Sequence, residues 1–138
     1  MKTLVIIVCT LIAIVGGHIL FVLQPGPSGV VASLRLADGS EYMVTQKFNW
    51  SAEPYTVAFY LRSPGGPWGW CYIDHQAKRW YGVSMSYDPD FDIITVTERG
   101  TWQAALDRKR GMFSIGDGKP RREVPAPQEN RQPEFAFP

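Results

Sequence analysis

Cysteine is nearly absent from this chain, with Cys9 and Cys71 the only two. Cys9 falls in an apolar run and leaves Cys71 without an intramolecular partner. A disulfide framework is therefore excluded, and so is a zinc site built on paired cysteines. Cys71 alternates with Trp70 and Tyr72, which fits a buried structural thiol. His75 is the nearest base, about 13 Å away along a straight strand, too far to activate that thiol. Histidine is as scarce as cysteine. His18 lies in the apolar run and His75 in the remainder, so no second imidazole completes a metal site, and no metal or cofactor is expected.

An excess of charge of either sign is also missing. Fourteen basic residues against thirteen acidic ones leave a net charge of +1. That balance gives no electrostatic footprint for nucleic acid. The runs Arg108-Lys109-Arg110 and Lys119-Pro120-Arg121-Arg122 read as solvated turn and tail residues. Glycine-rich phosphate loops, nucleophile elbows and zinc-protease helices are absent too. No catalytic residues are assigned, and no family resemblance is claimed.

What is present begins with residues 3–23, which carry no formal charge and are almost wholly apolar. As a helix, 21 residues reach roughly 31 Å, close to the hydrocarbon thickness of a bilayer. Residues 1–24 are thus expected to be a transmembrane anchor, one helix in contact with the lipid bilayer through residues 3–23. The competing reading is a secretory signal cut after Val15-Gly16-Gly17, leaving a secreted protein. Cleavage there would leave the apolar stub His18 to Leu23, which an uncleaved span explains better. Cys9, preceded by Ile6-Ile7-Val8, lacks the context of a lipid-attachment cysteine. Lys2 precedes the span, and the first charge after it is Arg35. The following domain is therefore expected outside the cytoplasm, on a single-pass protein.

Residues 25–29 form a Pro/Gly linker, and residues 30–116 a β domain. Val30, Ala32, Leu34 and Leu36 alternate with Val31, Ser33 and Arg35. Asp38-Gly39 then signals a hairpin. Glu41 to Phe48 returns, with Tyr42, Val44, Gln46 and Phe48 on one face. Tyr55–Arg62, Trp68–His75, Trp80–Tyr87, Asp92–Glu98, Thr101–Leu106 and Gly111–Ile115 continue the series, a helical turn over Trp102–Arg110 being the alternative near the end. Short strands about ten residues apart predict an all-β fold. Its expected form is a small antiparallel meander of six to eight strands in one curled sheet or open barrel. Residues 117–138 hold five prolines and no apolar period, and are expected to be a disordered or extended tail. Phe135 and Phe137 are the exceptions, able to dock on a neighbour or to do nothing.

All five tryptophans fall in the β domain: Trp50, Trp68, Trp70, Trp80 and Trp102. Most are expected to fill a small core. Trp50, in a polar loop, and Trp68, beside Pro64-Gly65-Gly66-Pro67, are the candidates for exposure and for ligand binding, with a protein or glycan as partner. Asn49-Trp50-Ser51 also matches a glycosylation acceptor. Asp74-His75 is the one acid–imidazole neighbour pair, with Ser84 or Ser86 as the serine that a hydrolase-type reading would enlist. Successive strand residues point to opposite faces, however, so Asp74 is poorly placed to orient His75. Asp88, Asp90 and Asp92 lack the glycine and terminal glutamate of a calcium loop and read as a turn. Function is expected to be that of a membrane-anchored binding or assembly module. A small enzyme, or an accessory subunit of a membrane complex, are the alternatives.

Overall fold

The computed structural model describes residues 6–7, 9–10, 12–17, 28–50, 52, 54–76, 79–116, 122–125 and 129–138. Ten strands lie among them: β1 (Gly29–Arg35), β2 (Glu41–Phe48), β3 (Tyr55–Arg62), β4 (Trp68–Gln76), β5 (Val83–Asp88), β6 (Ile93–Glu98), β7 (Thr101–Asp107), β8 (Met112–Ile115), β9 (Arg122–Pro125) and β10 (Glu129–Asn130). They form two open antiparallel sheets, ordered β1-β2-β3-β4-β10 and β5-β6-β7-β8-β9. Each is a four-strand meander with a fifth, short strand supplied by the tail.

The first hairpin is as its sequence predicts. Asp38 Oδ1 accepts the Ser40 backbone N–H at 2.8 Å, and Gly39 takes a φ of 83°. Glycine meets that left-handed conformation without penalty. The turn sets Arg35 opposite Glu41, a register that holds to Ala32 opposite Val44; a bulge at Val31 then shifts it by one, bringing Gly29 opposite Gln46. β3 pairs with β2 from Glu41↔Arg62 to Phe48↔Tyr55.

Alternation then decides what is buried. Tyr42, Val44, Val57, Phe59 and Ile73 of the first sheet meet Ile94, Val96, Ala104, Leu106 and Phe113 of the second, with Trp80 between. The rings of Phe59 and Phe113 pack 4.8 Å apart across this interface. Met43, Ala58, Tyr60 and Trp68 form a second cluster on the opposite face of the first sheet, with Phe137 packed against it. β2 is consequently buried on both faces from Glu41 to Gln46. The outer face of β5, by contrast, exposes Ser84, Ser86 and Asp88.

The expected single curled sheet is corrected to two packed sheets; the β domain's eight strands, β1 to β8, match the expected six to eight, and the tail adds two short ones. The reason lies at residues 79–82. Strand β5 starts at Val83, three residues later than the alternation suggested, because Trp80 turns inward as a core residue (3 % exposed). Its backbone N–H donates to Gln46 Oε1 at 2.7 Å, and Gly82 follows with a φ of 56°. The chain thereby leaves β4 and opens a new sheet instead of adding to the old one. Trp102 to Asp107 is strand, and the turn is confined to residues 108–111.

The tail differs from a free, disordered segment where it is described. Residues 122–125 pair with β8, residues 129–130 pair with β4, and Phe137 reaches Trp68. At the N-terminal side, residues 6–7, 9–10 and 12–17 are helical. No helix among the described residues is long and apolar enough to cross a membrane. The expected transmembrane helix is thus unsupported by the fold, and the rest of residues 1–24 lies outside the described residues.

Turns sort onto two ends of the sandwich. The chain arrives at Ser28, whose Oγ accepts the Phe48 N–H at 2.9 Å. This leader end also carries the β2–β3 loop, the 79–82 crossing and the Arg99-Gly100 turn, since the Arg99 N–H donates to Gly82 O at 3.1 Å. The opposite end carries the β1–β2, β3–β4, β5–β6 and β7–β8 turns. There Arg108 donates to Asp38 at 2.6 Å and to Asp92 at 3.0 Å, joining one sheet to the other.

Candidate functional site

The outer face of the first sheet gathers the densest set of charged and aromatic side chains. Glu41 lies at its centre with a side chain only 8 % exposed. Arg35 Nη2 donates to its Oε1 at 2.6 Å, and Arg62 Nε to its Oε2 at 2.7 Å. Arg62 Nη2 closes a second contact to the same oxygen. Burial alone raises the pKa of this carboxyl, but hydrogen bonds from Arg62 and then Arg35 outweigh it, and the group stays below the ordinary carboxylate range.

Each guanidinium also covers a ring. Arg62 stands 4.5 Å from the centroid of Trp68, and Arg35 stands 5.0 Å from that of Phe137. Trp68 and Phe137 are 6.1 Å apart. Further along the face, Arg131 lies 4.7 Å over Trp70, and Lys47 Nζ reaches Glu134 at 2.8 Å. The Arg131 backbone N–H donates to Trp68 O at 3.0 Å, extending the β10 pairing by one bond.

The tail therefore crosses this face as an extended segment held by one carboxylate, two aromatic contacts and a main-chain bond. Two open cavities flank it. One, about 490 Å³, is lined by Arg35, Glu41, Arg62, Trp68, Gln132 and Phe137 among others. The other, about 190 Å³, lies against Thr45, Lys47, Tyr60, Trp70 and Glu134. Tyr60 has its phenol pKa pushed up, chiefly by burial.

The two tryptophans singled out from sequence part company. Trp50 is 72 % exposed at the leader end, edge-on to Phe48 at 5.1 Å. Trp68 is only 6 % exposed, which corrects the expectation that it projects from its turn. Arg62, its partner across the Pro64–Pro67 turn, and tail residue Phe137 cover it; the first was legible from the hairpin, the second was not.

Asp74 and His75 register with Val57 and Thr56, and their side chains lie outside the described residues. Strand β5 does not pair with β4, so Ser84 and Ser86 are not brought opposite Asp74. Ser84 Oγ is instead 2.7 Å from Thr97 Oγ1. Cys71 is half-buried, its thiol 3.6 Å from Tyr72 O. Asp88 forms the expected turn, its Oδ1 accepting the Asp90 N–H at 3.0 Å.

Arg35, Glu41 and Arg62 belong to this candidate site, and motif reading missed them. The signal was available, since the Asp38-Gly39 hairpin places Arg35 across from Glu41. Nothing local announced that Glu41 would be covered while Arg35 stays largely in solvent. No family model, curated protein or solved structure matches the chain.

Proposed function

We propose that the chain is a membrane-tethered binding module, its β domain outside the cytoplasm, whose outer first-sheet face takes up an extended peptide segment. The segment it suits carries a carboxylate and aromatic side chains. The single observation behind this reading is the tail itself. Residues 131–137 lie across the face with Glu134 on Lys47, Phe137 on Trp68 and Arg131 on Trp70, contacts that support this choice of ligand chemistry. Extended main chain added at a sheet edge, with side chains taken by adjacent pockets, is a recurrent mode of peptide recognition.

Support for the tether comes from the uncharged residues 3–23 and from Ile6, Ile7, Ile12, Ile14 and Val15, which are 52–66 % exposed. No described residue of the β domain covers them, and lipid would.

A labelled peptide of residues 131–138, titrated into a chain ending at Asn130, tests the binding reading. Saturable binding is expected, weakened about two- to fivefold by Lys47→Glu, as befits an exposed ion pair. A peptide carrying Glu134→Lys should recover the loss. A truncated chain that keeps its β-sheet spectrum and ignores the peptide would refute the proposal, as would indifference to both charge reversals.

A further inference from the structure

We propose that the leader end of the sandwich is a lipid-contacting surface, in which Trp50 enters the headgroup layer and Arg79 and Arg99, flanking Tyr81, meet anionic headgroups. This rests on the tether proposed above and adds a second, independent contact to it. Three observations carry it.

The first is reach. Ser28 is fixed beside Phe48 through the bond from the Phe48 N–H to Ser28 Oγ, at 2.9 Å. Four residues lie between Leu23 and Ser28, and the five steps joining them, fully extended, span at most roughly 17 Å. The β2–β3 loop therefore cannot stand far from wherever the apolar run ends. The headgroup layer adds about 5–8 Å beyond the hydrocarbon on each side, well within that reach.

The second is which side chains occupy that end. Trp50 is 72 % exposed and Tyr81 48 %. Trp50 is propped edge-on against Phe48 at 5.1 Å, and Phe48 in turn against Tyr55 at 5.5 Å, so the ring is held outward instead of folding back. Tryptophan and tyrosine favour the membrane interface because an apolar ring carries a polar edge. The remaining large exposed ring of the β domain, Phe91, sits in the β5–β6 turn at the opposite end and lacks that polar edge.

The third is charge. The guanidinium carbon of Arg79 lies 4.8 Å from the Tyr81 centroid and that of Arg99 5.2 Å. Neither arginine forms an ion pair with a carboxylate among the described residues. Arg79 Nε is buried with no hydrogen-bond partner among them. Two cations held on one exposed ring suit lipid phosphates, and each basic side chain near an anionic surface adds about fivefold to its attraction.

The full chain in phosphatidylcholine vesicles, with or without phosphatidylglycerol and with lipids brominated near the headgroup, tests this. Flotation reports the tether, and bromine quenching of tryptophan emission reports the loop. With the chain floating, Trp50→Phe is expected to remove about half or more of the quenchable emission, since Trp68 and Trp80 are buried and Trp70 and Trp102 half-buried. Arg79→Glu with Arg99→Glu should reduce quenching in anionic vesicles to the neutral-vesicle level, and Phe91→Ala should change nothing. A floating chain whose quenching survives Trp50→Phe overturns the inference and leaves the tether standing. A chain that stays with the soluble fraction overturns both.

Discussion

Glu41 shows why a buried charge is best judged by what surrounds it. Its carboxylate is nearly enclosed, while Arg35 and Arg62 keep 61 % and 37 % of their side chains in solvent. Removing the acid therefore leaves two cations that water can still solvate. Removing the arginines leaves a carboxylate that water cannot reach. We expect Glu41→Gln to cost about 1–2 kcal/mol of stability. The double change Arg35→Met and Arg62→Met, which keeps the apolar stems, should cost about 3 kcal/mol or more. Urea unfolding of both variants checks the order, and a reversed ranking would mean that Glu41 is better hydrated than its burial implies.

At the scale of elements, the tail is the least secured. β10 contributes only the pairs Glu129↔Trp70 and Asn130↔Gly69, whereas β2 and β3 are matched over their full eight residues. Local openings draw on such weakly held units first. Native-state hydrogen exchange should accordingly find the Arg131 amide opening well before the amides of Val44 and Phe59. Equal protection would make the tail an integral strand and remove the basis for a displaceable segment.

The strands themselves were largely readable. β3 has the boundaries its alternation gives, and β1, β2, β4, β6, β7 and β8 agree to within a residue or two. Period-two patterning reports which side chains share a face, and it placed Gln46 correctly on the inner side with Tyr42 and Val44. It does not report partners. Whether β5 joins β4 or starts again depends on Trp80 finding Gln46, 34 residues earlier, a contact no local pattern encodes. The candidate site was illegible for the same cause. Trp68 was recognised as notable, but its cover, Phe137, is 69 positions further on in a segment whose composition resembles disorder.

For the whole molecule, acid should be the destabilising direction. Asp38 is held below its ordinary value of 3.8 by the Ser40 backbone N–H and then by Arg108, and Glu41 lies below its ordinary 4.5 for the reasons given above. A carboxyl depressed in the folded state stabilises fully above its unfolded value, and that stabilisation is lost as pH falls through the folded one. Tyr42 and Tyr60, raised mainly by burial, and Tyr87, raised by its bond to Asp92, act oppositely. Their contribution fades as pH climbs past the ordinary 10.0. Stability measured by urea midpoint should therefore be level near neutrality and fall below about pH 4.5 and above about pH 10. In Glu41→Gln the acid limb should be shallower, and an unchanged limb would remove Glu41 from the account.

The two meanders do not interleave, which has a mechanical consequence. Before the tail begins, one short stretch around Trp80 is their sole covalent crossing, and it lies beside Ser28. On the far side Arg108 fastens them through ion pairs, gripping Asp38 of one sheet and Asp92 of the other, in addition to the shared apolar core. The sandwich is built like a hinged locket: its pivot is at the end where Ser28 enters and its catch at the opposite one. If the layers ever part, they separate first where Arg108 lets go, baring the ring pair Phe59 and Phe113 at the end remote from Ser28.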